Sequence, residues 1–458
     1  MKECLCLFVL LVLFASCHAV AIKSNKSDIT CPIGYIGEKC KASVCSRTDP
    51  KNLSSNGQSL TFIVHNSMTT VTMIQKMQFK MSKVINDMIT QNPKWIITYN
   101  LVNFTGQEME LSVQTNDPNV FLERFKEFAA ENEANTPKYS CKELPVLDAL
   151  NVYLSAIGKP PAPNSNIFIF MNGIIRYQPA LFQAVRDIII QDQVKISFIE
   201  VSAYPCGESI TSSGASLMWN ISSLSGGEVY AISDVNVPAL LKTFPSQYKN
   251  AMTSEAHFED CSKEQIFKFP VDSQTKIVNI LINGSLVETP KYINPDGNDN
   301  DLSVTNVYSD FSTNSRFDQV IHSIVPGFWA IKLQTSQGSC SIKVSSQSNI
   351  FVYPIFVRDE DDDIGPITPF LSVQQYLIAH VDGLSSFNGT KNGSLHSVTI
   401  SSNETSFTLK MHLRDPQTCK HEYISSSTFH CPPGNYKMTF TGIDSNGFDF
   451  QHVQRTGC

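Results

Sequence analysis

The sequence predicts an α/β doubly wound domain followed by two all-β, sandwich-like domains. Three observations lead there. Between residues 58 and 255, continuous apolar runs of strand length alternate with stretches whose apolar residues recur at helical spacing. That alternation is what a mostly parallel sheet covered on both faces requires. After Cys261 the helical spacing stops, and short strand-like runs punctuated by Gly and Pro replace it. The chain also has 458 residues, whereas a single hydrophobic core rarely grows past about 250 to 300. A hydrophobic share of 42% against 17% charged excludes a largely disordered chain. A net charge of -7 provides no basic field, so nucleic acid is not an expected partner.

The first residues, MKECLCLFVLLVLFASCHA, carry one basic residue, an apolar run and small residues before a cleavage position after Ala19. Residues 1–19 therefore read as a secretory signal peptide. A signal anchor is the alternative, although the run is short for a hydrocarbon slab of about 30 Å. No later stretch reaches the length of a transmembrane segment, so a soluble extracellular product is expected. Of 13 cysteines, the leader holds Cys4, Cys6 and Cys17. The remaining ten, Cys31, Cys40, Cys45, Cys141, Cys206, Cys261, Cys340, Cys419, Cys431 and Cys458, suit five disulfides in an exported chain. Eight Asn-x-Ser/Thr sequons, at Asn25, Asn52, Asn103, Asn220, Asn283, Asn388, Asn392 and Asn403, point to a glycoprotein.

Residues 31–45 open with CPIGYIGEKC, in which two cysteines flank glycines at tight-turn spacing. The segment resembles the last third of an epidermal-growth-factor module, whose final two cysteines pair in this way; otherwise it is a stapled turn. A Ser/Asn/Gly linker leads to SLTFIV, a buried-strand run. Val71, Ile74, Met77, Met81, Val84, Ile85 and Met88 then mark a helix. WIITYNLV and MELSVQ are strands, and Val120, Phe121, Phe125 and Phe128 mark the next helix. A helix from Pro145 to Ala156 precedes NIFIFM, the most continuous buried strand. Ala180 to Ile189 form a helix face, VKISFIEV a strand, and residues 211–224 a helix closed by Gly226 and Gly227. EVYAIS is a strand, and Val237, Leu240, Leu241, Phe244 and Tyr248 a closing helix.

A β-sandwich-like domain is expected over 265–358, with strands IFKFPV, KIVNILING, FWAIKLQT, CSIKVSS and NIFVYPIFV. The run Asp359 to Asp363 reads as a solvated acidic linker, 359–369; its oxygens lack the loop spacing of a calcium site. A second such domain, 370–458, contains LSVQQYLIAHV, SLHSVTIS, SFTLKMHL, HEYISSSTF, YKMTFTGID and FDFQHVQR.

The α/β unit resembles a von Willebrand factor type A domain. Together with KIVNILINGS, VPGFWAIKLQTSQGSCSIKVSS and PPGNYKMTFTGIDSNGFDFQHVQR, residues 60 to 458 resemble the N-terminal region of the hemicentins, large extracellular matrix proteins. The resemblance implies a metal-ion-dependent adhesion site at the C-terminal ends of the strands, built on Asp-x-Ser-x-Ser, a later Thr or Asp, and an Asp after the fourth strand. Here the positions hold His65, Ser67, Thr69, a residue near Ser140, and Asn172. No carboxylate remains to offset a hard dication, so no metal and no cofactor are expected. One histidine does not make a zinc site either.

Catalysis is not expected. Ser67 lies only two residues from His65, nothing supplies an orienting carboxylate, and nucleophile-elbow and metalloprotease motifs are absent. If the fold holds, Cys141 and Cys206 share one end of the sheet and are expected to pair. Cys45 and Cys261 flank a domain whose termini meet and form the next expected pair, leaving Cys340, Cys419, Cys431 and Cys458 for the β units. The function expected is a secreted, non-enzymatic adhesion or matrix-type protein binding extracellular proteins or matrix components. The alternative is a secreted innate immune-response factor of nematode type.

Overall fold

The structure is a computed structural model that describes residues 31–458 except 33, 37–39, 44–56, 107, 136–142, 156–160, 202–212, 249–250, 298, 301–306, 314–315, 337, 386–390 and 415–419. The signal-peptide reading, Ser140, Asn25, Asn52, Asn388, Cys45, Cys141, Cys206 and Cys419 lie outside the described residues.

The chain begins with a small hairpin, β1 (Tyr35–Ile36) and β2 (Ala42–Ser43), stapled by Cys31–Cys40. The α/β domain follows. Its strands are β3 (Gln58–His65), β4 (Ile96–Phe104), β5 (Met109–Thr115), β6 (Asn166–Met171), β7 (Lys195–Val201) and β8 (Val229–Ile232). They form one sheet in the order β5-β4-β3-β6-β7-β8, parallel except for β5. Helices α1 (Val71–Gln91), α2 (Pro118–Asn135) and α6 (Val237–Leu241) supply one face. Helices α3 (Val146–Leu154), α4 (Pro179–Asp192) and α5 (Ser213–Ser225) supply the other.

The period of two along a strand divides β3 between these layers. Leu60, Phe62 and Val64 pack with α1, while Ile63 points to the opposite cluster. That is why this strand reads as apolar without alternation. The closing helix expected through Tyr248 stops at Leu241, and a 3-10 turn, Phe244–Gln247, completes it. Pro245 lacks the N–H that a continuing helix would need. Phe244 instead stacks on Phe168, with ring centroids 3.9 Å apart.

The middle domain starts earlier than expected. β9 (Ala251–Phe258) belongs to it, pairing antiparallel with β17 (Cys340–Gln347), so the α/β unit ends before residue 251, not at 255. Its other strands are β10 (Gln265–Val271), β11 (Ile277–Asn283), β12 (Lys291–Ile293), β13 (Asp299–Asn300), β14 (Val307–Thr313), β15 (Arg316–His322) and β16 (Gly327–Leu333). They form sheets β10-β16-β12-β13 and β14-β15-β11-β17-β9 around a core that includes Phe269, Ile280, Trp329 and Ile342. Cys261 is bonded to Cys340, which overturns the expected Cys45–Cys261 pair. The reason is local: β9 brings Phe258 opposite Cys340, and Cys261 follows three residues on, held by its N–H to the Gly338 carbonyl at 2.9 Å.

The last domain comprises β18 (Phe351–Val357), β19 (Gln374–Asp382), β20 (Ser394–Ser401), β21 (Ser406–Leu413), β22 (Glu422–Ser425), β23 (Phe429–His430), β24 (Asn435–Ile443) and β25 (Asp449–Gly457). Its eight-stranded sheet runs β18-β19-β22-β21-β20-β24-β25, with β23 on β19, and curls around Phe356, Leu377, Ile400 and Phe440. Cys431–Cys458 staples its end. β18 pairs along its length with β19, so the strand assigned by sequence to the first β block belongs to the second. The acidic run therefore lies inside the last domain rather than between domains. Arg414 anchors it, donating to the Glu360 and Asp362 carbonyls at 2.9 Å and to the Asp363 carboxylate at 2.9 Å.

Charged and polar contacts join the parts. Between the α/β and middle domains, Lys343 pairs with Glu228 at 2.7 Å, and the Arg316 guanidinium lies 3.7 Å over the Tyr230 ring. Glu255 of β9 pairs with Arg455 (2.6 Å) and Lys437 (3.2 Å) of the last domain. The N-terminal hairpin sits on the last domain: the Tyr35 hydroxyl donates to the Pro354 carbonyl at 2.8 Å, and Gly365 N–H to the Lys41 carbonyl at 2.9 Å.

Candidate functional site

Parallel pairing sets β3 beside β6, with Val64 opposite Phe170. The residues that leave these two strands, His65 to Thr70 and Asn172, therefore meet at the C-terminal edge of the sheet, where doubly wound folds place their ligands. Of the residues expected there, the structure brings together His65, Ser67, Thr69 and Asn172. His65 is buried, stacks on Phe104 with centroids 5.2 Å apart, and hydrogen-bonds the Asn172 backbone. Its Nδ1 has no hydrogen-bond partner. Ser67 and Thr69 spend their hydroxyls on each other at 2.8 Å.

Sequence reasoning missed Thr70. It stands at the N-cap position of α1, and its Oγ1 lies 2.6 Å from the His65 carbonyl and 2.9 Å from the Ser67 carbonyl while accepting Ser67 N–H at 3.2 Å. A threonine immediately before a helical run is the signal that could have found it. Asn172 is buried, and its Oδ1 is unpartnered.

This donor set does not fit a divalent metal. The cluster offers two hydroxyls bonded to one another, an amide oxygen and a desolvated imidazole, without a carboxylate. Among the described residues, no group of three or more His, Cys, Asp or Glu side chains is placed to hold an ion. What the edge does present is different. Met68, between Ser67 and Thr69, is 63% exposed, and Tyr177, in the loop after β6, is 51% exposed. A recess of about 380 Å³ that Phe104 also lines carries Glu108, Asp148 and Arg176 on its walls.

Burial lowers the His65 imidazole from 6.5 to about 4, a shift partly countered by its bond to the Asn172 backbone. His452 of β25 is lowered to about 4, by burial first and then by the charge of Lys195. Between about pH 6.5 and 4 the unfolded chain binds a proton at each position that the folded chain refuses. Stability is thus complete above about 6.5 and declines toward 4, by up to ~3 kcal/mol per histidine. Asp192 acts oppositely: burial lifts it from 3.8 to about 6, so the folded chain takes that proton first and recovers part of the loss. The expected outcome is a lower melting temperature at about pH 5 than at about pH 7. His65→Phe should reduce the difference in paired melts, and an unchanged difference would remove His65 from the account.

The von Willebrand factor A domain family matches residues 59–234. The Irg-7-like, Ig-like domain family matches residues 358–458. This chain pairs an A domain with an Irg-7-like Ig domain. The architecture resembles that of the nematode irg-7 and hemicentin family proteins, and both domain types are non-catalytic scaffolds. Protein irg-7 of Caenorhabditis elegans is 21% identical over 470 residues, covering 95% of this chain and 20% of that protein. The chain thus spans about a fifth of the length of the curated relative it matches. Among solved structures, proximal thread matrix protein 1 of the mussel byssus is 12% identical, covering 45% of this chain and 51% of its own, with a TM-score of 0.31. A von Willebrand factor type A protein from Catenulispora acidiphila is 9% identical, covering 88% and 66%, also at 0.31.

Among the described residues no helix is long and apolar enough to cross a membrane. Of the sequon asparagines, Asn220 on α5, Asn392 and Asn403 are exposed. Asn103 already donates to Ser112 at 2.8 Å, and Asn283 to Ser341 at 3.2 Å.

Proposed function

We propose that this chain is a secreted, non-catalytic innate immune-response factor of nematode type, whose A domain engages an extracellular protein partner directly, without a bridging metal ion. The observation that carries the metal-free engagement is the set of motif positions itself: the Ser67 and Thr69 hydroxyls are bonded to each other, the described motif positions hold no carboxylate, and Met68 stands 63% exposed between them. An exposed thioether and the Tyr177 ring beside a recess with both charge signs suit a protein surface better than an ion. The immune reading is supported by similarity to Caenorhabditis elegans protein irg-7 along 95% of the chain and by the Irg-7-like Ig domain. A role in adhesion or matrix draws on the A domain and on the resemblance to the hemicentins, and the Irg-7-like Ig domain does not add to it.

Capture of partners by the glycosylated secreted protein, with and without EDTA, tests the mode of engagement. Capture should survive EDTA and fall several-fold in Met68→Asp; a loss on chelation would overturn it. Transcript measured in gut after bacterial challenge tests the role. Induction is the expected result, whereas constitutive expression at basement membranes would return the reading to matrix adhesion.

A further inference from the structure

The recess of about 380 Å³ at the C-terminal edge of the A-domain sheet is built from three segments of the chain. Phe104 ends β4, and Gly106, Glu108 and Met109 lead through a turn into β5, closed by the Thr105 N–H donating to the Glu108 carbonyl at 2.8 Å. Pro145, Asp148 and Ala149 come from the start of α3, and Arg176 from the loop after β6. These last two segments are tied side by side. Leu144 N–H donates to the Ile174 carbonyl at 2.7 Å, and Arg176 N–H to the Leu144 carbonyl at 2.9 Å.

Among the described residues, three charged side chains line the recess: Asp148 and Arg176, each half-buried, and Glu108, which is exposed. The Asp148 and Arg176 side chains make no hydrogen bond or ion pair, with each other or with any other described residue. A carboxylate in the first turn of a helix is favoured by the helix dipole, so its position alone points to no ligand. Its surroundings do. Asp148 Oδ2 is buried without a hydrogen-bond partner, whereas buried polar atoms are normally satisfied. A half-turn of the carboxyl exchanges its two oxygens, so a donor in the recess serves the group through the oxygen that faces it. The unpaired Arg176 guanidinium asks for the opposite, an acceptor with negative charge.

We propose that the recess binds a small zwitterion of the α-amino-acid type with an apolar side chain. Arg176 takes its carboxylate, Asp148 takes its ammonium, and the side chain lies against Phe104, Met109 and Pro145. A simple anion would match Arg176 and leave Asp148 without a donor; a simple cation would do the reverse. A quaternary ammonium has no N–H to give, which sets aside choline-type headgroups. Glu108 is hydrated and needs no partner of its own. The volume falls within the ordinary range for small-molecule sites, about 300 to 1,000 Å³. This inference goes beyond the partner reading and does not depend on it.

Titration calorimetry of the whole chain with leucine, isocaproate and isoamylamine tests this. The three share one aliphatic body; isocaproate lacks the ammonium and isoamylamine lacks the carboxylate. Saturable one-to-one binding of leucine is expected, at least tenfold tighter than either of the others. Asp148→Asn should weaken leucine at least tenfold and leave isocaproate unchanged, whereas Arg176→Met should weaken leucine as much and leave isoamylamine unchanged. Failure of leucine to saturate at millimolar concentration, equal affinity for leucine and either analogue, or variants that bind leucine as the unaltered protein does would overturn the proposal. The comparison in the unaltered protein decides the matter even if a variant does not fold.

Discussion

Replacing Cys261 and Cys340 together by serine should lower the stability of the folded chain by about 4.5 kcal/mol on a loop-closure account. The bridge spans 79 residues of sequence, so its loss returns a large conformational freedom to the unfolded chain. Its surroundings keep the folded state in place meanwhile. Cys261 and Cys340 are both buried, and the Cys261 N–H and carbonyl bond Gly338 (2.9 Å) and Thr335 (2.8 Å). The double serine variant is therefore expected to retain its fold in water yet unfold at a markedly lower urea concentration with an unchanged slope. Urea titration followed by tryptophan fluorescence, without reductant, measures this. An unaltered midpoint would mean the bridge adds nothing to what β9 and β17 already provide.

Arg316→Met should cost about 3–5 kcal/mol, the range for breaking a buried charge cluster by removing one partner. Arg316 is almost entirely buried between the A and middle domains. It donates to the Val229 carbonyl at 3.1 Å and to Asn283 Oδ1 at 3.3 Å, lies over Tyr230, and stands 3.8 Å from the Glu228 carboxylate. Asp318, two residues further along β15, is buried as well. Methionine would match the bulk and leave both carboxylates with less positive charge, Glu228 keeping only Lys343. Adding Glu228→Gln should recover part of the loss, because the stranded charge goes with it. The urea midpoints of the two single variants and the double variant form a cycle that measures this coupling. A double variant no better than Arg316→Met alone would place the cost in packing instead.

The A domain was legible because its strands are buried on both faces and its helices are amphipathic. Phe62 and the methionines of α1 announce their layers from spacing alone. β15 was missed because RFDQVIH carries Arg316 and Asp318 where a strand reader expects alternation, and Arg316 is accommodated by the Val229 carbonyl, the Tyr230 ring and Glu228 of the A domain together with Asn283. β9 was missed because AMTSEAHF contains residues equally at home in a helix. Assigning Phe351–Val357 to the wrong block has another origin: a strand's own residues do not state which sheet it joins. At the candidate site, the resemblance to the A-domain motif named His65, Ser67, Thr69 and Asn172, whereas exposure of Met68 is a tertiary property that no motif states.

The N-terminal hairpin bears on how the molecule carries force. Tyr35 and Lys41 are fastened to Pro354 and Gly365, so the chain leaves the last domain's surface, traverses the A and middle domains, and returns to the same surface. The hairpin at one end of the described chain is thus packed on the domain that holds β25 at the other, with the A and middle domains between them in sequence. A pull applied at the hairpin and at β25 would load a single domain first, with the A domain lying outside the line of tension.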